Sequence, residues 1–378
     1  MNENSLIKDI GRSYIVSSFL PTALFLAVGI LIFKGFMPSL FLERIVDLDT
    51  YYAGQWLIFV SFVSWLSFGL YSGIYTTVQF FEGYYFPQRI GNFLKKRLIR
   101  KYRDKRKNLE EVLNLVEVLK PVDEAERFEN IEQQLEFSNK IEQAKREYLD
   151  SETEAPLNDD DILPTRLGNV LRASELYPQH KYSIPGLMLW SRLLQLLPKE
   201  LKEQIEEKFN QVSFVLNSAL LSYAIGLLAT LAGLVRLPCQ IWASLRWTAL
   251  EMCVVSGDPN FFERGYNYLS PSEYLVIGIG FLIIGYGIYR ISVPIAQDFG
   301  VLIRTSFDLY RFDLLRKLHQ PLPSSIKEEH AFWQKITDYW IAEGQLGFQV
   351  PEINYAIRED MFDYKRPRQR QATRRKKK

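Results

Sequence analysis

Three stretches of this chain contain no Asp, Glu, Lys or Arg: residues 15–33, 50–81 and 209–235. A helix rises about 1.5 Å per residue, so about 20 apolar residues cross a hydrocarbon core about 30 Å thick. Each stretch reaches or exceeds that length, and no soluble fold of this size needs such runs. A fourth, residues 274–295, is uncharged as far as Tyr289, and Arg290 stands near one end, where its long side chain can reach the headgroups. The sequence therefore predicts an all-α membrane protein with four transmembrane helices, at 14–36, 53–81, 209–235 and 274–295. The first stretch is longer than the apolar core of a signal peptide, and no small-x-small cleavage pattern follows Phe33. It is expected to remain as an anchor.

Orientation follows from the basic residues flanking the spans. After the second come Lys95, Lys96, Arg97, Arg100, Lys101, Arg103, Lys105, Arg106 and Lys107, against the single acid Asp104. That flank is expected in the cytoplasm. The connection 37–52, with Glu43, Arg44, Asp47 and Asp49, is expected outside, as is 236–273, whose stretch "LPCQIWASLRWTALEMCVV" suits either an interfacial segment or a short buried helix. Four spans place the N-terminus (1–13) and the C-terminus inside, and the expected location is a bacterial inner membrane. Cys239 and Cys253 match no zinc spacing; on the outer side they could form one bridge or remain as two ordinary thiols.

The connection 82–208 is too long for a plain loop and is expected to hold a mostly helical cytoplasmic domain. Leu109, Val112, Leu113 and Val116 recur at helical spacing, as do Leu135, Phe137 and Ile141, with Pro121 between the two sets. That pattern predicts an αα-hairpin rooted in the basic helix. Residues 150–161, "DSETEAPLNDDD", lack apolar periodicity and read as a flexible acidic linker. Thr165 is placed to cap a helix carrying Leu167, Val170 and Leu171 on one face and ending at "LYP". A helix entered through Pro185 follows, and a third, from Pro198, runs into the third span. Residues 296–364 read as further cytoplasmic helices packed against the 82–208 domain.

The segment "PTRLGNVLRASELYP" followed by "KYSIPGLMLWSRLLQLLP" resembles a recurrent segment of uncharacterised bacterial multi-pass membrane proteins. The resemblance covers about 35 residues. It implies a bacterial source and a place next to a membrane span, and it brings no activity with it.

Chemistry is thin. Arg166, Asn169, Arg172 and Glu175 recur every three residues and form one helical stripe, which reads either as a face for an anion or a partner protein or as a polar network fixing the segment. The three histidines, His180, His319 and His330, are far apart, and no phosphate loop, nucleophile elbow or dinucleotide fingerprint occurs. No enzyme activity, metal or cofactor is expected. Gly69, Gly73, Gly226 and Gly233 mark close-approach faces on the spans, for packing within the chain or for a homo-oligomer. The tail 365–378, with Lys365, Arg366, Arg368, Arg370, Arg374, Arg375, Lys376, Lys377 and Lys378, is expected to be disordered. Anionic lipid headgroups are its expected partner. Nucleic acid is disfavoured because no aromatic interleaves the charges. The leading functional expectation is a membrane scaffold or sensor presenting its cytoplasmic module to an unidentified protein partner. The alternative is an oligomeric channel or membrane-disrupting effector gated by that module.

Overall fold

The computed structural model describes residues 11–33, 52–119, 131–244 and 269–343, and among these every regular element is helical. In chain order the helices are α1 (Gly11–Phe33), α2 (Tyr52–Ser72), α3 (Ile74–Glu82), α4 (Gln88–Leu119), α5 (Ile131–Glu154), α6 (Arg166–Tyr182), α7 (Gly186–Leu196), α8 (Lys199–Ser244), α9 (Pro271–Lys317) and α10 (Ile326–Glu343). The chain divides into two compact units. The first holds α1–α5, the start of α6, and α8 and α9 between Glu203 and Leu302. Among the described residues, the second holds Glu175–Lys202 and the chain from Ile303 to Glu343.

Three described helices, α1, α8 and α9, are long and apolar enough to cross a membrane, one fewer than the four expected. Within the expected second span Gly73 stands between α2 and α3 outside helical geometry (φ −89°, ψ 10°), and the apolar stretch found there among the described residues is Phe59–Ser72. A glycine accepts such a break at little steric cost. Two other boundaries also differ. α8 continues past residue 235 to Ser244, and α9 runs from the fourth apolar stretch directly to Lys317. At about 1.5 Å per residue each is about 70 Å long, more than twice the hydrocarbon thickness. The interfacial segment expected beyond Ser244 and the connection 37–51 lie outside the described residues, and nothing is described of the cysteine side chains.

Small residues let the apolar helices approach. A Cβ on Gly226 would come within 3.0 Å of the Gly278 carbonyl oxygen, and one on Gly233 within 2.8 Å of Leu275 Cγ, so both lie where α8 packs closely on α9. Gly69 and Gly73 do not. A Cβ on Gly69 meets nothing within 4 Å, and the nearest neighbour of Gly73 is the Gly69 carbonyl of its own chain segment. Their spacing reflects the helix break rather than a contact between helices.

α1 carries a π-helical turn at Ile15–Phe19. Pro21 has no N–H, so the Ser17 carbonyl four residues earlier lacks its helical donor. Asn217 of α8, fully buried, donates from Nδ2 to that carbonyl at 2.9 Å and to Ser18 Oγ at 3.1 Å. The Tyr14 hydroxyl donates to the Ser64 carbonyl at 3.2 Å and lies 2.5 Å from Ser67 Oγ, which sets α2 alongside α1.

In the second unit, the apolar side of α7 is buried through Leu189 and Leu193, and Trp333 of α10 is fully covered. Trp190 is half-buried, with its ring 6.0 Å from that of Phe307. Ser324 and Ser325 exchange hydrogen bonds with Glu328 at the start of α10, a capping box that fixes where it begins. The region after the fourth apolar stretch was expected to join the whole 82–208 domain. It groups instead with Glu175–Lys202 alone, while the α4–α5 hairpin belongs to the first unit.

Candidate functional site

The densest polar structure outside the apolar helices is a junction in the first unit, where the basic helix α4 meets residues 151–162 and the start of α6. α3 ends at Gly83, whose positive φ (94°) suits glycine, and a Cβ there would come within 3.1 Å of Pro164 and Thr165. The same segment closes on α3 from the other side, since a Cβ on Gly168 would sit 2.8 Å from the Glu82 carbonyl oxygen. The "PTRLGN" stretch is therefore a clamp on the turn between α3 and α4, and its two small contacts explain why it reads as specific. Thr165 caps α6 as expected, accepting from the Gly168 N–H at 3.0 Å.

Residues 155–161, expected as a flexible linker, form an ordered strap along α4, and residues 151–154 complete α5. Two apolar anchors seat the strap: Ala155 and Ile162, each 1% exposed, pack with Tyr102, Leu98 and Ile99. Cations of α4 then hold its backbone and acids. Arg106 donates to the carbonyls of Ala155 (3.0 Å), Pro156 (2.6 Å) and Leu157 (2.9 Å). Lys95 donates to the Asp160 carbonyl at 2.8 Å, Lys105 pairs with Glu154 at 2.8 Å, and Arg103 pairs with Asp159. Exposed ion pairs contribute little individually, at most about 1 kcal/mol. The arginine bonds to three carbonyls and the buried anchors carry more of the order. Burial, reinforced by Glu154, pushes the Tyr102 hydroxyl up to about 12. Lys101 beside it is lowered, first by burial and then by Arg166.

Only some of the expected stripe forms a surface. Asn169 is fully buried: its Nδ2 donates to the Leu163 (3.0 Å) and Thr165 (2.7 Å) carbonyls, and its Oδ1 accepts from the Leu163 N–H at 2.7 Å. It ties the clamp together and touches no partner surface, which corrects the contact role expected for it. Arg172 is half-buried and pairs with Asp161 of the strap at 3.4 Å. Arg166 is half-buried, and its charge acts on Tyr102 and Lys101. Glu175 is assigned to the second unit. The basic tail, Lys365 to Lys378, lies outside the described residues.

The second unit has its own polar cluster, which sequence reasoning missed. The Tyr177 hydroxyl donates to Asp308 at 2.9 Å and the Tyr182 hydroxyl donates to it at 2.7 Å, with Lys181 3.6 Å away. The Arg311 guanidinium lies 4.2 Å over the Tyr182 ring and pairs at 2.7 Å with Glu329, which is nearly buried. Burial and the Asp308 carboxylate push Tyr182 up to about 12 and Tyr177 further. The expected helix end at "LYP" concealed this cluster. α6 continues through Pro178 to Tyr182, carrying both tyrosines on a single helix.

Among the described residues no group of three or more His, Cys, Asp or Glu is placed to hold a metal ion. The chain matches no protein-family model, no curated protein and no solved structure.

Proposed function

We propose that this chain is a membrane-embedded scaffold or sensor that presents a helical module to a protein partner. The observation that carries the reading is the outward disposition of its apolar surface. Only 17% of the most apolar window of α9 and 22% of that of α1 are buried. A water-soluble helical protein hides such faces, and lipid is the solvent that accepts them. Both α8 and α9 extend far beyond the length that a bilayer absorbs, so each carries an apolar segment and a charged one within a single helix. α9 runs from apolar Ile283 through Pro294 to Asp308 and Arg311 as one helix.

The charge of α4 favours the cytoplasmic face of a bacterial inner membrane for this helix. Three crossings leave the two ends of the chain on opposite faces unless α2 also crosses. Reporter fusions at Met1 and after Lys378 read this directly. Among the described residues, the polar side chains of α8 that a channel would draw on are hydrogen-bonded within the helix packing. Ser213, Ser218, Ser222 and Thr230 of α8 all donate to backbone carbonyls, and Asn217 is committed to α1.

The partner surface proposed is the outer side of α7, where Leu187 and Met188 are exposed beside Arg192. A photocrosslinking residue at Leu187 should capture a discrete protein in cells, and one at the buried Leu193 should capture none. Equal labelling of many proteins from both positions would refute the scaffold reading.

A further inference from the structure

Eight of the ten cations of α4 divide into two sets; of the other two, Lys101 is exposed and Lys107 pairs with Glu111 at 3.9 Å. Lys95, Arg103, Lys105 and Arg106 are engaged by the strap and by Glu154. Arg89, Lys96, Arg97 and Arg100 are exposed and have no ion-pair partner among the described residues. At about 100° per residue these four fall on one side of the helix, the side that also carries Ile90 and Phe93, 54% and 65% exposed. No acid occurs in α4 before Asp104. Tyr84 and Tyr85, 55% and 57% exposed, stand in the turn that joins this helix to α3.

We infer that this outer face of α4 is a binding surface for anionic phospholipid headgroups. The inference rests on the proposed membrane embedding. Aromatic and apolar side chains at the end of an apolar helix settle at the level of the headgroups, and basic side chains on the next turns meet the phosphates. The Gly83 turn, locked by Pro164 and Thr165, fixes the direction in which α4 leaves the apolar helices. The strap and Glu154 engage cations beside and behind this face, and the cations left without an ion-pair partner cluster around Ile90 and Phe93. A nucleic acid or an acidic protein would use the same charges, but neither explains exposed Ile90 and Phe93 next to an apolar helix. Lipid explains both halves of the surface.

The test uses the full chain in nanodiscs, with Cys239→Ser and Cys253→Ser, and a bimane probe on Asn92→Cys, an exposed position beside Phe93. Quenching by brominated phosphatidylglycerol is compared with quenching by brominated phosphatidylcholine. Phosphatidylglycerol should be preferred at least tenfold in low salt, and high salt should abolish the preference in the unsubstituted face. Arg89→Gln, Lys96→Gln, Arg97→Gln and Arg100→Gln should each weaken the preference about fivefold. Lys105→Gln, which alters a strap-facing cation, should leave it intact. Equal quenching by both lipids would overturn the headgroup assignment while leaving the membrane reading standing. A probe on Ile283→Cys that neither lipid quenches would remove the membrane reading itself, and the assignment with it. Displacement of the phosphatidylglycerol signal by RNA or by a polyglutamate peptide at equal charge concentration would also overturn it.

Discussion

Asn217 and Pro21 should be energetically coupled although they lie on different helices. Pro21 leaves the Ser17 carbonyl without its helical donor, and Asn217 Nδ2 supplies one at 2.9 Å in a fully buried setting. Asn217→Leu keeps the shape and removes the donor. A buried carbonyl left bare costs about 1–3 kcal/mol, and a hydrogen bond between membrane helices averages about 0.6 kcal/mol. Against this, the substitution also removes Asn217 Oδ1, which itself has no partner. The net loss should therefore fall near the lower end, about 1 kcal/mol. Pro21→Ala restores an N–H four residues beyond Ser17, so in that background Asn217→Leu should cost nothing or should stabilise. The coupling energy from the four-protein cycle should be about 1–2 kcal/mol, read from SDS titration of the helical signal in mixed micelles. Additive effects, with the same cost of Asn217→Leu in both backgrounds, would refute the account of the π-helical turn.

Gly278→Ala should destabilise by about 1–3 kcal/mol, because its Cβ would stand 2.7 Å from the Thr230 backbone nitrogen; Gly280→Ala, with nothing within 4 Å, should be neutral or slightly stabilising in the same titration. Arg106→Ala, which frees three strap carbonyls, should raise the rate of Asp-N cleavage at residues 159–161 about tenfold, while Arg103→Ala, which removes only an exposed pair, should change it little. On alkaline titration Tyr102 and Tyr182 should ionise near pH 12 rather than at the usual value of about 10. Since their folded values lie above the unfolded ones, the stability they confer is fully present below about pH 10 and is lost as pH rises through about 12, a loss that tyrosinate absorbance should track. Loss already complete at pH 10 would refute the burial assigned to them.

Long-period features were legible in the sequence, and single-residue geometry was not. Uncharged runs and helical periodicity located α1, α8, α9 and the α4–α5 hairpin, because burial against lipid or along a helix face leaves a repeating trace. Pro178 was read as a stop because proline removes one hydrogen bond, yet packing of Leu176 and the tyrosine bonds to Asp308 keep α6 going. The strap was read as a linker because its order rests on Ala155, Ile162 and Arg106, a pattern with no period. Arg166, Asn169 and Arg172 were legible as a stripe, but sequence alone could not show that α6 turns Asn169 inward onto Leu163 and Thr165. The basic block was legible as a charge, and its division into two faces was visible only once the strap was in place.

The account depends most on lipid covering the outward faces of the long apolar helices. Spin labels at Val276 and Ile283, 71% and 65% exposed on α9, and at Arg100 on α4, test this by power saturation in reconstituted vesicles. The prediction is that labels at Val276 and Ile283 relax with dissolved oxygen and are shielded from a water-soluble nickel chelate, with the reverse order at Arg100. Free access of the nickel chelate to Ile283 would contradict the membrane-embedded reading.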